Sequence, residues 1–136
     1  MGLEEVIGKT YTLAKSENFD QYMKALGVGL VTRKMGAAAS PDVDLQKDGD
    51  EYILSSKSTF KNVITKFKPG VEFEQETPDG RKVKSTFTIE GNKLHEVQKN
   101  PDGKDTIIDR TFTNDEIKME MSYDNVTATR VYKIKA

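Results

Sequence analysis

Residues 18–41, NFDQYMKALGVGLVTRKMGAAASP, divide the chain into a helical part and an extended part. Asn18 is suited to cap the start of a helix and Gly27 to end it. A second short helix is predicted over residues 30–39, so that the pair forms a helix-turn-helix and a helical lid at about residues 17–39. The first helix has one apolar face, defined by the spacing i, i+3, i+4 and i+7: Phe19, Tyr22, Met23 and Leu26.

Beyond Pro41 the hydrophobic period falls to two, which is typical of strands. Turn signals such as Asp48-Gly49, Pro69-Gly70 and Gly91-Asn92 recur about every ten to twelve residues. Together with a first strand at residues 9–14, the runs between the turns predict about ten antiparallel strands. This many antiparallel strands avoid free edges by closing into an up-and-down barrel. A barrel of about ten strands has room for a ligand in its interior. We expect a single, mostly β domain over residues 1–136 capped by the helical lid.

Composition excludes several classes of function. The 136 residues contain no cysteine and one histidine, which removes thiol chemistry, Cys-zinc sites and His-rich metal sites. The net charge of −1 does not provide the excess of positive charge that nucleic-acid-binding proteins usually have. We expect no enzyme, cofactor or metal site, and a soluble, intracellular monomer. The hydrophobic fraction of 35% is low for a globular chain, which indicates a partly polar interior.

Alternation along the last strands predicts a candidate anion site. Arg130 and Tyr132 share one strand face, and Arg110 shares another with Ile108. Met119 and Met121 alternate with charged residues and therefore face inward. If the arginines also face inward, two guanidiniums lie in the barrel. The alternative is that they point to solvent or pair with Asp79 or Glu96 from other strands.

Ordered sequence blocks along nearly the whole chain resemble the intracellular lipid-binding proteins, and specifically the fatty acid-binding proteins. The blocks are GKTYTL at 8–13, NFDQYM at 18–23, LGVG at 26–29, RKMG at 33–36, STFKN at 58–62, GVEF at 70–73, DGRKVKS at 79–85 and RVY at 130–132. The resemblance implies a ten-stranded barrel that holds one long-chain fatty acid, such as oleate or palmitate, without catalysis. It also implies that Arg110, Arg130 and Tyr132 bind the carboxylate, and that Glu96, Gln98 and Ser56 help to hold water.

The resemblance further implies an entrance and a lining for the fatty acid tail. Packing of the helices on the barrel explains the same apolar side chains equally well. The predicted cavity and entrance residues are Phe19, Tyr22, Met23, Val28, Thr32, Met35, Pro41, Phe60, Pro78, Asp79, Gln98, Ile108, Met119 and Met121.

Two alternatives stay open at this point. A cellular retinoic acid-binding protein would also present an Arg-x-Tyr end and a second arginine, although the STFKN block favours the fatty acid branch. The chain could also act as a delivery module, in which Lys24, Arg33, Lys34 and Lys61 form a basic rim for acidic membranes or a nuclear-import signal. A solvated helix face is the simpler interpretation of these four cations.

Overall fold

The computed structural model describes residues 2–77 and 79–135. A short 3-10 helix, Leu3–Val6, precedes the first strand. The ten strands are β1 Thr10–Glu17, β2 Asp42–Asp48, β3 Glu51–Lys57, β4 Asn62–Phe67, β5 Phe73–Glu76, β6 Lys82–Glu90, β7 Lys93–Lys99, β8 Asp105–Phe112, β9 Glu116–Tyr123 and β10 Val126–Ile134. The predicted ten-stranded, mostly β fold is confirmed.

All ten strands form one antiparallel sheet that wraps into a nearly closed barrel. Strands that follow one another pair by hairpins, and β1 joins the two halves because it pairs with both β2 and β10. The sheet ends at β4 on one side and at β5 on the other. The expected barrel is therefore present, but these two strands remain sheet edges.

Two helices lie between β1 and β2: α1, Phe19–Ala25, and α2, Leu30–Ala38. Gly27 has a φ of 86°, a left-handed conformation that glycine adopts without strain, and it ends the first helix as expected. Asn18 stands at the N-cap position, but its side chain makes no cap hydrogen bond. Its Nδ2 instead donates to the Thr127 carbonyl oxygen at 2.7 Å. The capping prediction is wrong because this residue ties the lid to β10.

The interior has two apolar clusters with different roles. One fills the end of the barrel away from the helices, where Tyr11, Phe87 and Phe112 are almost fully buried. The other lies beneath α1, where Tyr22 and Met23 pack against Ile108, Met121 and Ala128 of the sheet. Because the first cluster closes its end of the barrel, the space for a ligand lies between the two.

The interior also contains buried polar side chains, as the low hydrophobic fraction suggested. They are Ser55, Thr77, Ser85, Glu96, Gln98, Thr106 and Arg130. Buried polar groups need partners or they cost free energy, so their contacts decide what the interior can bind.

Candidate functional site

A single internal cavity brings together most of the residues predicted from the sequence. The three candidate carboxylate-binding residues Arg110, Arg130 and Tyr132 all line it. So do eleven of the predicted cavity and entrance residues: Phe19, Tyr22, Met23, Thr32, Pro41, Phe60, Asp79, Gln98, Ile108, Met119 and Met121.

Two of the predicted residues that the structure describes, Val28 and Met35, do not line this cavity. Val28 is buried, but it packs in the cluster between the helices and the sheet. Met35 is 49% exposed on α2 and points away from the interior. Pro78 lies outside the described residues. The helical period explains Met35, because only one face of a short helix can turn toward the barrel. Val28 lies in the link between α1 and α2, outside both helices.

Arg130 is a buried cation on β10. Its side chain is largely enclosed, with the residue 6% exposed, and its Nε donates to Ser16 Oγ at 2.9 Å. The guanidinium carbon lies 4.0 Å from the centre of the Phe19 ring, a cation–π distance that links α1 to the site. Within residues 2–77 and 79–135, no carboxylate forms an ion pair with it. Burial lowers the pKa of Arg130, because removal from water disfavours the charged form.

Tyr132 lies two residues further along the same face of β10 and is also buried. Its hydroxyl donates to the Met119 sulfur at 3.9 Å, and a thioether is a weak acceptor. The hydroxyl also partly offsets the effect of burial on the pKa of Arg130. Arg130 and Tyr132 therefore place a guanidinium and a hydroxyl side by side in the cavity wall.

Arg110 has a different environment. Its Nη1 donates to Glu96 Oε1 at 2.8 Å, and the Glu96 side chain is only 2% exposed. This is one of the alternatives that the sequence left open. The pairing register explains it: Leu94 lies opposite Arg110 and Glu96 lies opposite Ile108, so the two charged side chains are diagonal neighbours on one face.

Two glutamine side chains complete the surroundings of Glu96. Gln75 Nε2 donates to Glu96 Oε2 at 2.9 Å and lies close to Ser85 Oγ. Gln98 Nε2 donates to the same carboxylate oxygen at 2.7 Å. Glu96 thus accepts hydrogen bonds from three side chains, and its charge offsets that of Arg110. We call Gln75, Glu96, Gln98 and Arg110 the Glu96 cluster.

A second ion pair lies where the cavity approaches the lid. Arg81 Nε donates to Asp79 Oδ2 at 2.6 Å, and Arg81 Nη1 donates to Asn100 Oδ1 at 2.6 Å. Burial raises the pKa of Tyr22 strongly, and the charges of both ion pairs act on it to a lesser degree. The Tyr22 hydroxyl of α1 is therefore enclosed near two compensated arginines.

The turn between β3 and β4 brings Phe60 to the cavity wall opposite α2. Ser58 Oγ accepts from the backbone N–H groups of Phe60 and Lys61, at 3.2 and 3.1 Å. Such local side-chain bonds hold a turn without help from a strand ladder. Phe60 is half-buried, so its ring covers the cavity and also meets solvent.

The four predicted basic residues do not form a uniform rim. Lys24, Lys34 and Lys61 are exposed. Arg33 is engaged, because its Nε donates to Asp20 Oδ1 at 3.1 Å and its Nη1 donates to the Val28 carbonyl oxygen at 2.7 Å.

The sequence analysis missed several cavity residues, of which Gln75 and Arg81 matter most. The alternation in β5 indicates that Gln75 and Phe73 share a face, and this signal could have found Gln75. Arg81 stands in a turn just before β6, where alternation gives no guidance.

The described part of the chain contains neither a metal-binding cluster nor a helix that could span a membrane. No group of three or more His, Asp or Glu side chains there is arranged to hold a metal ion. None of the helices within 2–77 and 79–135 is long and apolar enough to cross a membrane.

Comparison with known proteins gives a consistent set of relatives. Residues 8–135 match the model of the lipocalin/cytosolic fatty-acid binding protein family. A fatty acid-binding protein from brain tissue of Drosophila melanogaster is 54% identical, over 94% of this chain and 98% of that one, with a TM-score of 0.88. Fatty-acid-binding protein 1 of Echinococcus granulosus is 37% identical, over 97% and 99% of the chains, with a TM-score of 0.91. A fatty acid binding protein of Schistosoma mansoni, solved in complex with arachidonic acid, is 36% identical over both full chains, with a TM-score of 0.93.

Proposed function

The chain belongs to the lipocalin/cytosolic fatty-acid binding protein family, and we propose that it carries one long-chain fatty acid, of the oleate or palmitate class, through the cytosol to membranes or other acceptors. Proteins of this family carry lipids and catalyse no reaction. The proposal concerns the ligand, its orientation and its delivery.

The observation that carries the proposal is the buried guanidinium of Arg130. A desolvated cation without a carboxylate partner is costly, and an anionic ligand would compensate it. A guanidinium matches a carboxylate through a fork of donors, and the Tyr132 hydroxyl supplies a further hydrogen bond. Arg110 contributes less in this proposal because Glu96 already occupies one of its donors.

Apolar side chains support the placement of the tail. Met119 and Met121 line the sheet side of the cavity, and Phe19 and Met23 line its helical side. Burial of about sixteen methylene groups contributes ~13 kcal/mol before the costs of association and of ordering the tail. We expect a net dissociation constant between about nanomolar and micromolar.

Calorimetry of the delipidated protein with oleate, palmitate and retinoic acid tests the ligand class. We expect oleate and palmitate to compete for one site per chain. Millimolar binding of every fatty acid would contradict the proposal, and tighter binding of retinoic acid would instead favour a retinoid carrier. Mass spectrometry of the lipid that co-purifies with the protein gives an independent result.

Delivery to membranes is the second part of the proposal, and the exposed face of α2 favours it. Leu30, Val31 and Met35 are 56%, 72% and 49% exposed, next to the exposed cations Lys24 and Lys34. Apolar side chains beside lysines are the combination that binds an anionic lipid surface. We expect transfer of a fluorescent fatty acid to vesicles to be faster when phosphatidylserine is present and slower when salt is added.

A matched pair of substitutions separates docking by α2 from general surface hydrophobicity. Val31→Ser should slow transfer to anionic vesicles several-fold. Ile64→Ser changes an equally apolar side chain that is 59% exposed on the edge strand β4, and it should leave transfer unchanged. Equal effects of the two substitutions would remove α2 from the proposal.

Nuclear localisation is a separate prediction that rests on Lys24, Arg33, Lys34 and Lys61. Arg33 is engaged by Asp20 and by the Val28 carbonyl, so presentation of all four cations would require the Arg33 side chain to leave these acceptors. Imaging of a fluorescent fusion, with Lys24→Ala and Lys34→Ala as variants, tests it. A nuclear fraction that these substitutions leave unchanged would contradict an import signal in the lid.

A further inference from the structure

Gln98 carries an unpartnered polar atom in the wall of the cavity. The residue is 5% exposed, and its Nε2 donates to Glu96 Oε2 at 2.7 Å. Its Oε1 is buried without a hydrogen-bond partner, the one such side-chain atom found among the described residues. A buried acceptor without a donor costs free energy, so this atom points to a group that is bound in the functional state.

The orientation of this amide follows from its neighbour. If the oxygen and nitrogen of Gln98 were exchanged, an amide oxygen would face the Glu96 carboxylate, and two acceptors would meet. The side-chain donors of Gln75 and Gln98 are already directed at Glu96. Gln98 therefore keeps its donor for the protein, and its acceptor is left without a partner in a residue that lines the cavity.

We propose that Gln98 Oε1 forms a second polar subsite, which accepts a hydrogen bond from a hydroxyl group on the ligand chain. The ligand class that fits is a long-chain fatty acid with a hydroxyl substituent, its carboxylate at Arg130 and Tyr132. This inference rests on the proposed function, because both groups of the ligand occupy one cavity.

The sheet register places the two polar sites far apart. Arg130 pairs with Met119, Met119 with Arg110 and Arg110 with Leu94, so Gln98 lies three strands and four residues away from Arg130. At ordinary strand spacing this is ~14 Å across the sheet and ~13 Å along it. These are backbone separations along the curved wall, so binding of a series of hydroxy acids is needed to locate the carbon whose hydroxyl reaches Gln98.

The chemistry of the subsite separates three kinds of ligand. A hydroxyl donates a hydrogen bond to Gln98 Oε1 and satisfies it. A keto group at the same carbon is an acceptor only, so it repels this oxygen. A plain methylene displaces any water from the acceptor and leaves it unpaired.

Calorimetry with stearate, 12-hydroxystearate and 12-ketostearate tests the proposal, with 9- and 10-hydroxystearate to locate the best position. In the unaltered protein the hydroxy acid at the best position should bind more tightly, relative to stearate, than it does in Gln98→Met. The ratio of the two dissociation constants should change at least tenfold between these proteins. Neither 12-ketostearate nor 2-hydroxystearate should show this change.

Gln46→Met is the matched control, because it makes the same change at a glutamine that is exposed on β2 and does not line the cavity. It should preserve the ratio of the unaltered protein. Two results would overturn the subsite. One is a ratio of the hydroxy acid and stearate dissociation constants that is the same in Gln98→Met as in the unaltered protein. The other is a preference for the hydroxyl that is equally large at every position of the chain. Because Gln98→Met retains Glu96 and Arg110, stearate binding reports whether the variant is folded.

The two proposals fail in different ways. If stearate binds tightly and the hydroxyl changes nothing, the fatty acid proposal stands, Gln98 binds water only and the subsite is overturned. If neither stearate nor any hydroxystearate binds below millimolar concentration, the fatty acid proposal fails as well.

Discussion

Two of the arginines that line the cavity, Arg110 and Arg130, have opposite surroundings. Arg110 donates to a buried carboxylate, Glu96, which two glutamine amides also bind. Arg130 has a serine hydroxyl and an aromatic ring as neighbours, and none of the carboxylates in 2–77 and 79–135 pairs with it. The same residue type therefore serves two purposes: Arg110 stabilises the interior, and Arg130 is available to a ligand.

This difference shows why the number of arginines in a cavity does not give the charge that a ligand meets. Arg110 and Arg81 are each offset by a carboxylate. Of the three cavity arginines, Arg130, beside the Tyr132 hydroxyl, is the one that pairs with none of the carboxylates in the described residues. A single carboxylate matches it, whereas a dianionic headgroup would leave a second buried charge without a partner.

The largest effect is expected from Arg110→Gln, measured as the free energy of unfolding. The variant leaves the Glu96 charge buried with neutral donors only, and removal of one partner of a buried pair typically costs ~3–5 kcal/mol. Urea unfolding of the delipidated protein measures it. Glu96→Gln added to Arg110→Gln should restore much of the loss.

Lys133→Gln is the control for that prediction. It breaks an ion pair with Glu116 in which the lysine side chain is 57% exposed, and exposed pairs contribute little. A loss from Arg110→Gln no larger than the loss from Lys133→Gln would contradict the structural role of Arg110.

The next largest effect is expected from Arg130→Gln, measured as ligand affinity. The variant keeps a donor but removes the charge, so oleate binding should weaken by ~2–5 kcal/mol. Oleyl alcohol carries no charge and should lose much less. Calorimetry of both ligands with both proteins decides: equal losses for acid and alcohol would mean that Arg130 does not bind the carboxylate.

A smaller effect is expected at alkaline pH from Tyr22, whose hydroxyl lies near the paired arginines. Burial raises the pKa of Tyr22 in the folded protein, whereas in the unfolded chain it titrates near 10. Stability from this group is therefore complete below pH ~10 and declines as the pH rises further, by up to ~1.4 kcal/mol per pH unit. In Tyr22→Phe this part of the decline should disappear. The free energy of unfolding of the unaltered protein and of Tyr22→Phe is measured between pH 9 and 11. An equal decline in both proteins would contradict this role of Tyr22.

The smallest change in stability is expected from Phe60→Ala, at the entrance between α2 and the turn after β3. Phe60 is half-buried outside both apolar clusters, so the free energy of unfolding should change by less than ~1 kcal/mol. The on- and off-rates of a fluorescent fatty acid should both rise several-fold, because the cover of the cavity is smaller. Stopped-flow rates equal to those of the unaltered protein would remove Phe60 from the entrance.

The fold follows from sequence patterns that act over short distances. A period of two with recurring turn signals gave the strands, and the apolar face from Phe19 to Leu26 gave the first helix. The same alternation placed Met119 and Met121 in the interior, whereas an inward Arg130 was implied by the family resemblance. These predictions succeeded because each depends on the few residues around it.

The site was less predictable because its chemistry depends on register between strands. The pairing of Arg110 with Glu96 requires β7 and β8 to meet with Leu94 opposite Arg110, and the length of the intervening turn sets that register. The bond from Asn18 to the Thr127 carbonyl joins residues at opposite ends of the chain. No local pattern encodes a contact at that separation.

A crystal structure of the oleate complex tests the central claim most directly. The account predicts the carboxylate within hydrogen-bond distance of the Arg130 guanidinium and the Tyr132 hydroxyl, with the Arg110 to Glu96 contact of 2.8 Å preserved. A carboxylate bound to Arg110, with Glu96 displaced and Arg130 still facing only Ser16 and Phe19, would contradict it.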